Sequence, residues 1–283
     1  MTEHVFSVDA YAPPEMAQRV ETVGLAKANR DAVTMFALAV LAGAFIAMGG
    51  NVATIAFTNN RLGFGMSRLL GGLVFSLGLL LVIVGGAELF TGDNLMVMAW
   101  ASGKLSTSRL LRTWAIVYLG NFVGGFSTAV GVYLSRQWTF DAYHVGATAL
   151  KIAAAKVSDD FLSVFVLGVF CNALVCLAVW LCFSARTTTD KILAIVPPIT
   201  AFVAAGFEHS IANMYFIPIG LLLRGHQRVV EIAGQNIEQL ANLTWSGFVV
   251  NNLVPVTLGN LFGGTVMVAA VYWFIYLRRV SKP

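Results

Sequence analysis

Six long apolar segments, at roughly 32–57, 69–101, 109–134, 161–183, 192–223 and 251–277, occupy most of this chain, and charged residues are nearly confined to the stretches between them. Crossing the hydrocarbon of a bilayer takes about 20 apolar residues in a helix. Each segment is therefore long enough to span, and little of the 283-residue chain is left for a separate soluble domain. The composition agrees: 58% hydrophobic and 11% charged, against about 45–50% and 25% in soluble domains. An all-α integral membrane protein with six transmembrane helices, embedded in the lipid bilayer, is expected. The six-helix transmembrane domain covers 31–278, an amphipathic segment covers 1–30, and a short tail covers 279–283.

The pI near 9.1 and net charge of +4 do not indicate nucleic acid, because Lys and Arg are scattered at span ends and form no dense or aromatic-interleaved patch. Summed over alternate connections, about 11 basic residues fall on the side of the termini and about 7 on the other. The positive-inside bias then puts both ends in the cytoplasm, in a multi-pass protein of the inner (plasma) membrane. The first thirty residues hold seven charges and no long apolar run, so no cleaved signal peptide is expected. Pro13-Pro14 begins a helix whose Met16, Val20, Val23 and Leu25 form a loose apolar stripe; a surface helix resting on the membrane is expected, with a lid over a pore as the alternative. Cys171, Cys176 and Cys182 share one apolar segment at spacings that match neither a redox pair nor a zinc site, and read as small hydrophobes.

The chain repeats itself. YLGNFVGGFSTAVGVYL (Tyr118 to Leu134) aligns with TLGNLFGGTVMVAAVYW (Thr257 to Trp273), and GGAELFTGDNLM (Gly85 to Met96) corresponds to AGFEHSIANM (Ala205 to Met214). Three spans per copy require the second copy to be inverted relative to the first, an aquaporin-like plan. The glycines of the LGN motifs serve close helix packing. The second and fifth segments exceed a simple span and are interrupted by polar residues at matching positions. Such breaks survive at membrane depth only against protein or a water-filled cavity, so the two are expected to face each other and line a pore. New half-helices should start near Thr91 and near His209, with Thr91, Asp93 or Ser210 as caps, and their unpaired N–H groups favour an anion.

Of four histidines only His209 lies within a span, where an ionisable side chain is expensive and functional by default. It can donate a hydrogen bond when neutral and hand over a proton when charged. Thr91 should supply a pore hydroxyl opposite it. Glu88 and Glu208, just before the breaks, would repel an anion from a pore wall; both are expected to turn inward as structural braces accepting N–H bonds from the broken loops. Asn172 is a buried amide expected to bond towards His209. Lys156 is an interfacial anchor or an anion attractor at a pore mouth. Phe75 and Leu79 share a helical face in the second segment, and Leu89, Phe90 and Phe202 border the breaks; apolar rings above and below a polar midpoint would strip water from a passing ion.

These residues carry a resemblance. AELFTG (Ala87 to Gly92), CNALVCLAVW (Cys171 to Trp180), GFEHSIANM (Gly206 to Met214) and NNLVPVTLGN (Asn251 to Asn260) occur in order between the right spans, and the chain resembles the formate/nitrite transporter family over nearly its whole length. The resemblance implies a homopentamer whose protomers each pass formate, nitrite or another small monovalent anion, sometimes with a proton. It implies His209 as the proton-exchanging group with Thr91 beside it and Lys156 and Asn172 around it. Leu79, Leu89 and Phe90 would form a cytoplasmic constriction and Phe75, Val175 and Phe202 a periplasmic one, and the N-terminal segment is associated with gating. FTGDN resembles the nitrite branch while GGLVFSLGLLLV (Gly71 to Val82) resembles the formate branch. Ser158 and Asp159 stand where formate channels commonly carry paired histidines. Formate is the first expectation, with nitrite or hydrosulfide as the alternative.

No catalytic residue, metal or cofactor is indicated, and the protein reads as a transporter and not an enzyme. A haem subunit would need paired histidines on facing spans, and the breaks lack the NPA signature of water channels. A cation-coupled carrier stays open if Glu88, Asp93 and Glu208 face the pore.

Overall fold

The structure, a computed structural model, describes residues 9–278. Residues 1–8, which include His4, and the expected tail at 279–283 lie outside the described residues. Helix α1 covers Pro13–Ala28. Among the described residues, six helices are long and apolar enough to cross a membrane: α2 (Ala32–Phe57), α3 (Gly63–Gly85), and, after two intervening short helices, α6 (Thr107–Leu134), α8 (Phe161–Cys182), α9 (Thr188–Ala205) and α12 (Trp245–Tyr276). The short helices α4 (Phe90–Asp93) and α5 (Val97–Ala101) follow α3 through a 3₁₀ turn. Helix α7 (His144–Lys156) precedes α8, α10 (Ser210–Leu223) follows α9, and α11 (Gln227–Ala233) precedes α12. Among the described residues there is no strand.

Span starts are set by polar caps at the chain's polar connections. The Asp31 carboxylate accepts from Thr34 N at 2.9 Å, and Asp160 accepts from Leu162 N and Ser163 N at 3.0 and 3.1 Å. Thr187 and Asp190 form a reciprocal capping box. Each takes up first-turn amides that the helix itself leaves without partners. The Ser163 hydroxyl, followed by its amide, holds the Asp160 carboxyl below the ordinary carboxylate range.

The close packing depends on glycine. A Cβ on Gly124 would lie 2.0 Å from Val40 O, and one on Gly43 2.1 Å from Asn121 O, so α2 and α6 touch backbone to backbone. The second LGN helix repeats the device: a Cβ on Gly259 would lie 2.1 Å from Phe165 O and one on Gly263 2.1 Å from Val169 O, joining α12 to α8. In a bilayer, where association gains little from hydrophobic burial, small residues let backbones approach in this way. Helix α12 carries two π-helical stretches, Phe248–Leu253 and Gly263–Ala270.

The α1 helix packs against the protein's own bundle. Met16, Ala17, Val20 and Ala28 share one core cluster with Leu95, Met96 and Trp180, and Lys104 donates to the buried Glu21 at 2.6 Å. Of the apolar stripe read in the sequence, Met16 and Val20 are buried in this way and Val23 stays exposed.

Candidate functional site

Both long apolar segments break in the same way. Helix α3 ends at Gly86 and α9 at Gly206, each in the left-handed region with φ of 80°, a conformation that glycine adopts at no steric cost. The chain then runs extended to Leu89 (φ −114°, ψ 121°) and to His209 (φ −112°, ψ 113°) before α4 and α10 begin.

The caps of these half-helices are not Thr91, Asp93 or Ser210. The asparagines of the LGN motifs fill that role from neighbouring spans. Asn121 Oδ1 accepts from Phe90 N at 2.9 Å, while its Nδ2 donates to Ala39 O and Glu88 O at 2.8 and 2.9 Å. Asn260 Oδ1 accepts from Ser210 N at 2.9 Å, while its Nδ2 donates to Gly168 O and Glu208 O at 2.8 and 2.9 Å. One fully buried amide at each break therefore satisfies a first-turn N–H and a loop carbonyl and anchors both to a carbonyl in the interior of a neighbouring span. Sequence reasoning missed this role, although both asparagines stand in the repeated LGN motif; a polar residue recurring in two apolar helices was the available signal. The expected set of unpaired N–H groups is accordingly reduced, since Phe90, Ser210 and Ala212 have side-chain acceptors.

His209 is its own helix cap. Its Nδ1 accepts from Ala212 N at 3.1 Å, and a backbone amide can only donate, so Nδ1 is unprotonated in this arrangement. In the neutral ring the proton then sits on Nε2, which lies 2.9 Å from Thr91 Oγ1. Nε2 donates to Thr91, and the Thr91 hydroxyl keeps its own proton for another acceptor. His209 is 3% exposed and Thr91 fully buried. The Thr91 carbonyl accepts from Cys176 Sγ at 3.3 Å, which gives one of the buried cysteines a polar use.

Two cavities, each of about 280 Å³, adjoin the breaks: one reaches His209 at the second break, and the other is walled by Gly86, Ala87 and Glu88 of the first. The first is lined by Arg68, Phe75, Lys156, Phe202, Glu208 and His209, among others. The second lies under α1 and is lined by Arg19, Lys27, Arg30, Glu88, Val179 and Lys191, among others. Phe75 and Phe202 meet edge to face at 5.5 Å, and the Phe202 ring centre is 6.0 Å from that of His209. Leu79, Leu89, Phe90 and Val175 are buried and line neither cavity. The Phe90 ring packs against Trp114 and Tyr118, ring centres 6.1 and 4.8 Å away.

Three other expectations need correction. The Glu88 and Glu208 carboxylates do not accept N–H bonds from the broken loops. Glu88 pairs with Lys27, 2.8 Å away, and with Arg30, both carried in by the N-terminal segment. Lys27 also reaches Asp93 at 2.6 Å. Glu208 accepts from Lys156 at 2.7 Å and from the side-chain amides of Asn213 and Asn252 at 2.6 and 3.3 Å. The loop backbone already has its partners in Asn121 and Asn260, which leaves the carboxylates to draw in cations instead. Asn172 does not bond towards His209 either: its Nδ2 donates to Asn94 Oδ1 and Asn260 O, both at 2.7 Å, tying the rear of the first break to the second LGN helix.

A bundle of six spans in which two broken helices bring a buried polar pair together, each beside a cavity with basic residues in its wall, defines a membrane transport protein. The family model for the formate/nitrite transporters matches residues 14–274. The chain belongs to the formate/nitrite transporter family. It is 40% identical over 274 residues to the formate channel FocA of Escherichia coli K12, with 96% of each chain covered. A solved pentameric formate channel with formate bound superposes with a TM-score of 0.81 at 43% identity, over 87% of this chain and 98% of that one. An ion channel of the same family superposes at 0.76 with 27% identity, over 93% and 98%.

Proposed function

We propose that this protein is a channel for small monovalent anions, formate first, which exchanges a proton with the anion at His209. The observation that carries this reading is the Thr91–His209 pair joining two broken helices, each of which adjoins a cavity with basic residues in its wall. Cations draw a small carboxylate into either cavity, aromatic rings at Phe75 and Phe202 remove its water, and the Thr91 hydroxyl offers a hydrogen bond where hydration is lost. A weak acid that takes a proton here crosses as a neutral molecule. Relatives named as formate channels support formate over nitrite.

The matched breaks and the equivalent Asn121 and Asn260 bonds support two three-span repeats inverted relative to each other. On this reading both termini are cytoplasmic, the cavity under α1 faces the cytoplasm and the Lys156 cavity faces the opposite side of the inner membrane. Leu79, Leu89 and Phe90 form the constriction towards α1, and Phe75, Val175 and Phe202 the one towards Lys156. The resemblance to a pentameric channel supports a homopentamer with one pore per protomer. A cation-coupled carrier would need free carboxylates, whereas Glu88, Asp93 and Glu208 each hold a lysine or arginine.

Purified protein in liposomes, compared for formate, nitrite, acetate and hydrosulfide flux at two pH values without a cation gradient, tests the reading. Formate flux that rises as the pH falls is expected; flux only with a sodium or potassium gradient would overturn it.

A further inference from the structure

The cavity above His209 has two cations in its wall, and their chemical situations differ. Lys156 is 16% exposed in its side chain and its ammonium sits 2.7 Å from Glu208 Oε1. The lysine charge is therefore matched at close range by a carboxylate that also accepts from Asn213 and Asn252. Arg68, half-buried on α3, is held otherwise. Its Nε donates to Ala204 O at 3.2 Å and its Nη2 to Val203 O at 2.6 Å, in the last turn of α9 immediately before the break. Both partners are neutral carbonyls.

A guanidinium has five N–H groups in a fixed fork. Two of them clamp the end of α9, which fixes the plane of the group, and the rest are left for the cavity that Arg68 lines. The packing is tight enough that a Cβ on Gly206 would come within 2.9 Å of Nη2. Of the ionisable residues lining this cavity, Arg68 and Lys156 carry positive charge and Glu208 negative, with His209 neutral. Glu208 is in contact with Lys156 and acts on Arg68 only from beyond ion-pair distance, so the surplus positive charge lies towards Arg68. The arginine sits with Phe57 on one side, its guanidinium 5.7 Å from the ring centre.

We infer that Arg68, and not Lys156, is the residue that receives the anion in this cavity, as a planar, bidentate station for a carboxylate or another small oxyanion before it reaches His209. The inference rests on the reading of the protein as an anion channel and adds a binding residue to it. Lys156 then serves to neutralise Glu208, which would otherwise oppose entry, and the two roles divide between a fixed free charge and a matched one.

Flux into liposomes decides this. Wild-type protein is first compared with formate and nitrite, and whichever anion it passes is used with Arg68→Met, with Arg68→Gln, and with the double variant Lys156→Met/Glu208→Gln. Electrostatic focusing by one charge at a pore mouth is worth about tenfold or more in entry rate at low salt. Arg68→Met is expected to raise the half-saturating concentration about tenfold, to leave the saturating rate near that of wild type, and to abolish the slowing of entry by added salt. Arg68→Gln keeps a donor for the α9 carbonyls and gives the same result if the Met variant fails to assemble. The double variant, which removes a matched pair and leaves the net charge as it was, is expected to retain the salt dependence. Wild-type half-saturation and salt dependence in assembled Arg68→Gln protein, or loss of the salt dependence in the double variant alone, would overturn the inference while the channel reading stands. A wild-type protein that passes neither anion overturns both.

Discussion

The Thr91 hydroxyl and the His209 Nε2 lie 2.9 Å apart although 118 residues separate them in the chain. Each stands in the first turn, or at the cap, of a half-helix that begins after a left-handed glycine. Two breaks that were separately expensive in a membrane become one site when they meet. Thr91 and His209 partner each other across the two breaks, and the loop backbone beside each is held by an LGN asparagine.

The direction of that hydrogen bond leads to a test. Since Ala212 N occupies Nδ1, an Nε2 proton can pass to the anion only if that bond is released and Nδ1 takes up a proton in its place. His209→Asn keeps a hydrogen-bonding group that does not titrate, and should flatten the pH dependence of formate flux in liposomes. Thr91→Ala should lower flux while the protein assembles as wild type, and Thr91→Ser should restore it. An unchanged pH profile in His209→Asn removes the proton-exchange role.

The paired asparagines should matter for folding rather than for selectivity. Asn121→Ala leaves Phe90 N–H and the carbonyls of Ala39 and Glu88 without their partner, and each buried orphan costs about 1–3 kcal/mol. The variant should lose folded yield in detergent, read by size-exclusion chromatography after mild heating, and Asn260→Ala should behave alike. Wild-type heat tolerance in either variant would show that water replaces the amide.

Removal of the Lys27 ammonium strands the buried Asp93 carboxylate and leaves Glu88 with Arg30 alone, and breaking a buried pair costs about 3–5 kcal/mol. Lys27→Met should free α1 from the bundle, seen as faster trypsin cleavage at Arg19. Adding Asp93→Asn should restore part of the protection by removing the stranded charge.

Glycine substitutions along one helix should separate by what a Cβ would meet. At Gly124 it would come within 2.0 Å of a backbone oxygen, whereas at Gly131 it meets nothing within 4 Å. Gly124→Ala should abolish membrane-integrated, folded protein and Gly131→Ala should yield wild-type amounts.

Acid should loosen the start of α8. The Asp160 carboxyl is held below the ordinary range by Ser163, so its cap contributes fully above the unfolded pKa near 3.9 and is lost as the pH falls through the lower folded value. Asp160→Asn keeps a cap that does not titrate. Melting temperatures between pH 5 and pH 3 should fall less steeply in the variant than in wild type.

Spans, breaks and the pairing of Thr91 with His209 were legible in the sequence because hydrocarbon leaves few options: apolar runs of that length must be helices, and polar interruptions at matching repeat positions must shelter one another. Positions with several possible partners were not legible. Asn172 was expected to point to His209 and instead bridges Asn94 and Asn260, because a side-chain amide takes whichever backbone the neighbouring helix brings within reach. Glu88 was expected to brace its own loop and instead binds Lys27 and Arg30.

By itself, the order of apolar and polar residues determined a six-span membrane protein with two broken helices and one intramembrane imidazole, since burial in lipid penalises every other arrangement of that chain. Only the tertiary structure decided which charge answers which. Lys156 is matched by Glu208, Lys27 and Arg30 fold over Glu88, and Arg68 faces the cavity without a carboxylate against it. Charge pairing acts over a few ångströms between residues far apart in sequence, and those distances exist only once the helices have packed.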